Sequence, residues 1–162
     1  MIYLGIDPGL NGGMAMVSES FIATRPFTDM KSMLDWLRES PVEDFFATIE
    51  LVHSIHGSSA KSNFEFGKNL GEWIGLLTAL SIPYQMVPPQ TWQKVMMPGK
   101  PARIKGGDPA KHKQAIKDHA AKVAQALWPE HDFRRTPKCK GPHTGMVDAA
   151  LIAEYGRRIK NI

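Results

Sequence analysis

Short apolar runs separated by turn residues dominate the first half of the chain, which is the pattern typical of β-strands. The first run, MIYLGID, ends in Asp7 and is followed by Pro8-Gly9, which predicts a buried strand stopped by a turn. Asn11-Gly12 is a strong signal for a hairpin into the next run. Together these runs predict five strands, over residues 1–7, 13–17, 21–24, 45–50 and 84–87.

Apolar positions at helical spacing alternate with the later strands and continue through the second half. Candidate N-caps are Asp29 for the first helix, Ser62 or Asn63 for the second, and Asp108 with Pro109 at the first helical position for the fourth. The last helix is expected to be amphipathic. The predicted helices cover residues 30–39, 63–80, 90–97, 109–127 and 145–158.

This order of elements predicts an α/β fold of the ribonuclease-H-like type, with an antiparallel meander extended by parallel strands and flanked by helices. A length of 162 residues fits one ordinary domain over 1–162 and excludes a duplicated architecture. No apolar run is long enough to span a bilayer, and the start lacks the pattern of a secretory signal. With Cys139 as its single cysteine, the chain is expected to be cytoplasmic, in a bacterial host if a phage encodes it.

The charges are divided unevenly between the halves of the chain. Residues 1–87 carry 5 basic and 10 acidic side chains, whereas residues 88–162 carry 15 basic and 6 acidic ones. A basic half is the electrostatic footprint that nucleic-acid binding requires, although lysine-rich solvated helices would give the same count. The pattern indicates an acidic site in the first half and a surface for a polyanion in the second.

Three acids carry the candidate chemistry. Asp7 and Glu50 each end an apolar strand, and Asp148 lies in the first turns of the last helix. Ligand sites in such sheets lie at the carboxyl ends of the strands, so these side chains can converge. Each acid taken alone fits an exposed strand end or a helix cap. Together they suit Mg²⁺ or Mn²⁺, since hard cations keep clustered carboxylates ionised.

Several segments resemble RuvC-type Holliday junction resolvases, most closely the short phage and prophage branch. The specific ones are GIDPGLNGG and HTGMVDAALIAEYGRR, supported by TIE with the loop after it, SNFEFGKNLGEWIGLL, YQMVPPQTWQK and KHKQAIKDHAAKVAQALWPE. The resemblance implies a homodimer that nicks four-way DNA junctions symmetrically, without a nucleotide cofactor. It also implies metal binding by Asp7, Glu50 and Asp148, with two Mg²⁺ ions that Mn²⁺ can replace.

The chain departs from that family at one ligand position. A fourth ligand three residues before the final Asp would fall on Gly145, and His143 is the obvious substitute. His143 could bind a metal or assist proton transfer, or it could be a loop residue or a phosphate contact. His53 and His56, in the loop after Glu50, are interpreted as surface or DNA-side residues.

A set of side chains from the second half is expected to hold the phosphates without reading bases. These residues are Lys100, Arg103, Lys105, Lys111, Lys113, Lys117, Arg134, Arg135, Lys138 and Lys140. The family places an aromatic wedge after the loop that follows Glu50, and Phe64 is the better candidate because Phe66 fits a core position. By resemblance, the Trp73 helix would form the dimer interface.

Other classes of function share parts of this pattern. A ribonuclease-H-like nuclease acting on forks, other branched DNA or RNA–DNA hybrids would use the same acids. The segment GIDPGLNGG also suits the phosphate hairpin of actin-like and sugar kinases, but the chain is too short for their second domain. A non-catalytic DNA-binding module is disfavoured because all three acids are present.

Overall fold

The computed structural model describes residues 1–40, 44–51, 59–103 and 106–160. The strands in this part of the chain are β1 (Ile2–Asp7), β2 (Gly13–Val17), β3 (Ile22–Pro26), β4 (Phe45–Glu50) and β5 (Tyr84–Val87). The helices are α1 (Met30–Glu39), α2 (Ala60–Ala79), α3 (Pro89–Met96), α4 (Pro109–Leu127) and α5 (Thr144–Lys160).

The strands form one mixed sheet in the order β3-β2-β1-β4-β5. Strands β1, β2 and β3 pair antiparallel as a meander, whereas β1, β4 and β5 run parallel. The central strand is β1, and β4 lies between β1 and the edge strand β5. The predicted mixed sheet flanked by helices is therefore confirmed.

Side chains alternate between the two faces of the sheet, as the period of a β-strand requires. In β1, Leu4 and Ile6 join a core formed with α1 and α2, while Gly5 faces the opposite helix α5. The second core lies on that other face and combines α5 with residues of α3 and α4, including Trp92 and Ala120. The two faces therefore bury separate sets of side chains.

Helix α5 lies unusually close to the sheet because glycines occupy the contact points. A Cβ added at Gly5 would overlap the backbone of Ala149 and Ala153. A Cβ at Gly13 would come within 2.9 Å of the Gly145 carbonyl oxygen, and one at Gly156 would strike the Thr48 hydroxyl. The register of α5 on the sheet is thus set by backbone contact, which leaves little room for adjustment.

Some predicted boundaries and burial patterns are wrong. Helix α2 starts three residues earlier than expected, because the Ser59 side chain accepts a hydrogen bond from the backbone N–H of Ser62 at 3.1 Å and caps it. Phe66 is half-buried and lies outside the main cores, and Phe21 is exposed ahead of β3. Helix α5 is buried almost all round as far as Gly156 instead of being amphipathic, since α3 and α4 cover the side that the sheet leaves open.

The remaining differences are shifts of one or two residues at element ends, as at the start of α3 and at both ends of α5. No helix in the described ranges is long and apolar enough to cross a membrane.

Candidate active site

The turn after β1 holds Asp7 at the mouth of a cleft. Asp7 has the same strand parity as Gly5, so its side chain lies on the α5 face. Gly9 has a φ of +132°, a conformation that favours glycine, and its N–H donates to the Asn69 side-chain oxygen at 2.7 Å. Asn69 is buried in α2, so the opposite layer of the fold anchors this turn.

Parallel pairing brings Glu50 alongside Asp7. The β1–β4 register pairs Ile6 with Ile49, and each acid is the next residue of its strand. The carboxylate of Glu50 accepts a hydrogen bond from the indole N–H of Trp92 through Oε1 at 2.8 Å. The two strand-end acids therefore meet on one edge of the sheet, as predicted.

The third acid comes from α5. Asp148 is half-buried in the second turn of this helix, between the buried residues Val147 and Ala149. Its pKa is raised to about 7, first by burial and then by the negative charge of Glu50, while the Lys117 ammonium opposes the rise. Lys117 of α4 is therefore close enough to act on this carboxyl electrostatically.

The two strand-end acids also have raised pKa values. Burial raises the pKa of Asp7 well above its ordinary value, and the charges of Asp148 and Glu50 raise it further. Burial raises the pKa of Glu50, and the Trp92 hydrogen bond partly offsets that rise. The charge of Glu50 thus acts on both Asp7 and Asp148, which links the three acids electrostatically.

These acids line a single cleft of about 840 Å³ with both basic and neutral residues. The lining comprises Asp7, Pro8, Gly9, Leu10, Asn11, Gly12, Glu50, Pro89, Gln93, Lys113, Lys117, Pro142, His143, Thr144, Gly145 and Asp148. All four residues predicted from the sequence as catalytic or metal-binding are therefore brought together.

The donor set suits a hard divalent cation in an open site. Carboxylate oxygens are the ligands that Mg²⁺ and Mn²⁺ prefer, and charges that repel one another favour a cation between them. Among the described residues, however, no three His, Cys, Asp or Glu side chains form a group that could hold a metal ion as they stand. The acids are neighbours in one cleft, and chelation would require them to draw closer together.

His143 closes the cleft at the start of α5. Its Nδ1 accepts a hydrogen bond from the backbone N–H of Met146 at 3.3 Å, and the backbone N–H of His143 donates to the Phe133 carbonyl at 2.7 Å. Burial and the charge of Arg135 lower its pKa. Because Nδ1 accepts this hydrogen bond, the neutral imidazole carries its proton on Nε2, which can donate to an anion such as a phosphate.

The predicted phosphate-binding side chains differ in what surrounds them. Lys113 and Lys117 line the cleft, and Lys100 donates to Gln93 at 2.8 Å beside it. Arg134 is engaged by Asp132 in a two-point ion pair, with both N···O distances at 2.9 Å. The others in the described ranges lie at the surface: Arg103, Lys111, Arg135, Lys138 and Lys140.

The predicted wedge, Phe64, is 70% exposed near the start of α2. Three residues named in the sequence analysis, His53, His56 and Lys105, lie outside the described residues. Trp73, taken as the marker of the interface helix, is itself fully buried, so only the outer face of α2 is available to a partner.

Sequence reasoning missed Asn69 and Trp92, which contact the Asp7 turn and Glu50. The only local signal for Trp92 is its position shortly after Pro88-Pro89, which carries the chain directly from β5 into α3. Asn69 has no local signal, because its contact joins residues 60 positions apart.

Comparison with known proteins identifies the fold. No protein-family model matches the chain, and no curated protein matches its sequence. Among solved structures, Thermus thermophilus RuvC in complex with a Holliday junction substrate matches with a TM-score of 0.62 and 14% identity, covering 98% of this chain and 96% of that one. A second T. thermophilus RuvC structure gives a TM-score of 0.57 and 15% identity, covering 99% and 97%.

The yeast mitochondrial Holliday junction resolvase Ydc2 matches with a TM-score of 0.43 and 13% identity, covering 98% of this chain and 80% of that one. The mixed sheet and its helices define an α/β fold of the ribonuclease-H-like class. Within that class, this chain has the RuvC fold over nearly its full length.

Proposed function

We propose that this chain is a Holliday junction resolvase, a divalent-metal-dependent endonuclease that nicks four-way DNA junctions. One observation carries the proposal: β1, β4 and α5 bring Asp7, Glu50 and Asp148 into one cleft beside Lys113 and Lys117. T. thermophilus RuvC, which shares the fold, binds a Holliday junction substrate, and this supports the same class of substrate here.

In this proposal the three acids bind two Mg²⁺ ions, which Mn²⁺ can replace. The Nε2–H of His143 would donate to the phosphate or pass on a proton, and metal binding by Nε2 would require the ring proton to move to Nδ1 in place of the Met146 hydrogen bond. The bound ions would supply Lewis-acid stabilisation and a nucleophilic water for in-line displacement at phosphorus. The ammonium groups of Lys113 and Lys117 would hold the phosphodiester against the acidic edge. Cleavage would leave a 5′-phosphate and a 3′-hydroxyl, ends that a ligase can rejoin.

The surface around the cleft supports a branched DNA substrate. Exposed basic side chains of α4 and of the segment before α5 can neutralise phosphates, and Phe64 would act as the wedge at the junction centre. A homodimer formed through the outer face of α2 would match the two-fold symmetry of the junction. Paired nicks would follow from two such sites.

A nicking assay with end-labelled four-way junction, fork, linear duplex and RNA–DNA hybrid tests this function, with and without Mg²⁺. We expect Mg²⁺-dependent nicking of the junction, and Asp148→Asn should reduce it by more than about 100-fold, since residues that only support a metal ligand already cost 10–100-fold. Asp35→Asn, on α1 and paired with Lys31, is the matched control and should nick like the wild type.

Three outcomes would contradict the proposal. Full activity of Asp148→Asn would remove this acid from the site. Equal cleavage of linear duplex and junction would indicate a general nuclease, and preferential cleavage of the hybrid would indicate a ribonuclease. Junction binding without any cleavage would indicate a binding module.

A further inference from the structure

Trp92 makes a direct contact with the candidate site that the proposed chemistry leaves unexplained. Its indole N–H donates to Glu50 Oε1 at 2.8 Å, and the residue is only 1% exposed. Tryptophan has a single polar atom, which can only donate. The contact therefore joins a buried donor to one oxygen of a carboxylate that lines the cleft.

Burial alone does not account for this hydrogen bond. Trp73 is also fully buried, yet its Nε1 has no hydrogen-bond partner among the residues that the structure describes. The fold thus tolerates a buried indole without an acceptor, although such an orphan donor costs free energy. Trp73 packs against Phe27 in the apolar core of the other face, whereas Trp92 lies against the acidic edge.

Backbone geometry brings the two side chains together. Glu50 pairs with Val87 in the parallel β4–β5 register, and the N–H of Leu51 donates to the Val87 carbonyl at 2.8 Å. Pro88 and Pro89 then turn the chain into α3, with Pro89 at its first position. Trp92 therefore lies five residues after Val87, the residue beside Glu50, and is the fourth residue of α3.

We propose that Trp92 is a positioning residue that holds the Glu50 carboxylate by Oε1, so that Oε2 is presented to a divalent cation in the cleft. The inference rests on the proposed function for the identity of Glu50 as a ligand. Partners that orient a metal ligand typically contribute 10–100-fold to metal affinity. Trp92 would do so without touching metal or DNA.

The test compares Mn²⁺ affinity, measured by calorimetry on the whole chain, in wild type, Trp92→Phe and Trp73→Phe. Both variants replace a buried indole by a phenyl ring, but only Trp92→Phe removes a hydrogen bond to Glu50. We expect Trp92→Phe to weaken Mn²⁺ binding by about 10-fold or more and Trp73→Phe to change it by less than about twofold. Thermal unfolding without metal reports the general packing loss in each variant.

A spectroscopic measurement adds a readout that does not depend on cleavage. The indole Nε1–H resonance of Trp92, assigned by its absence in Trp92→Phe, should shift when Mg²⁺ is added. The Trp73 resonance should stay in place. In Glu50→Ala, which removes the acceptor, the Trp92 resonance should shift even without metal.

The outcomes separate this inference from the function on which it rests. If Glu50→Gln weakens Mn²⁺ binding but Trp92→Phe does not, the positioning role is wrong and the metal site stands. Equal weakening by Trp92→Phe and Trp73→Phe would also overturn the inference, since general packing would then explain both. A wild-type chain that binds no Mn²⁺ would remove the proposed metal site and this inference together.

Discussion

The two faces of the sheet are packed in different ways, and only one of them carries the candidate site. The face covered by α1 and α2 is filled by large side chains such as Trp36, Trp73 and Leu77. The face covered by α5 relies on glycine and alanine, with backbone against backbone at Gly5 and Gly13. Large side chains can repack around a substitution, whereas a contact between two backbones cannot. We therefore call the face covered by α5 the rigid face, and it is the face that holds Asp7 and Asp148 in register.

Overpacking the rigid face should have the largest effect. In Gly5→Ala the new Cβ would meet the Ala149 carbonyl oxygen and the Ala153 backbone, so α5 must move away from β1. We expect a loss of about 3 kcal/mol or more in the free energy of unfolding, at or above the usual range for overpacked cores. Nicking should be lost as well, because Asp148 moves with the helix. Urea unfolding and the junction assay measure the two effects, and a Gly5→Ala protein with normal activity would show that the contact is adjustable.

A cavity on the other face should cost similar stability but spare the site. Leu77 is fully buried in α2, and Leu77→Ala should lower the free energy of unfolding by about 3 kcal/mol. Below its unfolding midpoint, the variant should nick junctions at close to the wild-type rate, because α5 keeps its contacts with β1. A loss of activity as severe as that of Gly5→Ala would erase the distinction between the two faces.

The acidic cleft should make the metal-free protein less stable as pH rises. Asp148 has a pKa of about 7 in the folded chain against an ordinary value of 3.8, so folding takes up a proton between these values. The free energy of unfolding should therefore fall between about pH 4 and pH 7. Above pH 7, the ionisation of Asp148 should change it little. We expect the free energy of unfolding to fall by about 2 kcal/mol over this range. This is roughly half of what the full pKa difference would give, because the Asp148 carboxyl is partly exposed to solvent.

The control for this prediction is Asp148→Asn, whose free energy of unfolding should lack the part of the decline that Asp148 causes. Adding Mg²⁺ to the wild-type protein at pH 8 should raise its free energy of unfolding again. Denaturant melts of both proteins across the pH range provide the difference. A difference that grows in the opposite direction would mean that Asp148 is stabilised as an anion in the folded chain.

The smallest effect should come from an exposed glycine in α2, on the face of the sheet that α1 and α2 cover. A Cβ at Gly67 in α2 meets nothing within 4 Å, so Gly67→Ala replaces a poor helix former at no steric cost. The free energy of unfolding should rise by about 0.4–1 kcal/mol, and nicking should be unchanged because Gly67 lies outside the cleft. The same Gly→Ala change would thus stabilise one face and break the other. Destabilisation at Gly67 would indicate that Gly67 itself lies in the contact between the α2 helices of the proposed homodimer, where an added Cβ would clash.

Local sequence patterns were enough to predict where Asp7 and Glu50 lie. The position of Asp148 relative to them depends on how its helix packs on the sheet. Apolar runs ending in Asp7 and Glu50, each with a following turn or loop, are enough to place both at strand ends. The parallel pairing that brings them side by side follows from the order of the elements. Asp148 was predicted from its place in the first turns of the last helix, and the resemblance supported it, but periodicity within one helix does not give its distance from the two strand ends.

What the sequence could not show depends on contacts between distant segments. The start of α2 at Ala60, with Ser59 as its cap, was missed because the apolar spacing begins only at Phe66, and serine at position 62 offers an equally good cap. The complete burial of α5 depends on α3 and α4 packing over it, which periodicity within one helix does not reveal. Lys117 was predicted as a phosphate contact, and its electrostatic effect on Asp148 emerges only when α4 and α5 are placed together.

The cleft joins the two ends of the sequence, since Asp7 comes from the first strand and Asp148 from the last helix. During translation, Asp7 and Glu50 emerge from the ribosome long before α5 is made. A nascent chain that stops before α5 therefore displays Asp7 and Glu50 without Asp148, and under the proposed function it could not cut DNA. The full set of acids assembles only when α5 docks on β1, so the synthesis and docking of this helix control when the candidate site forms.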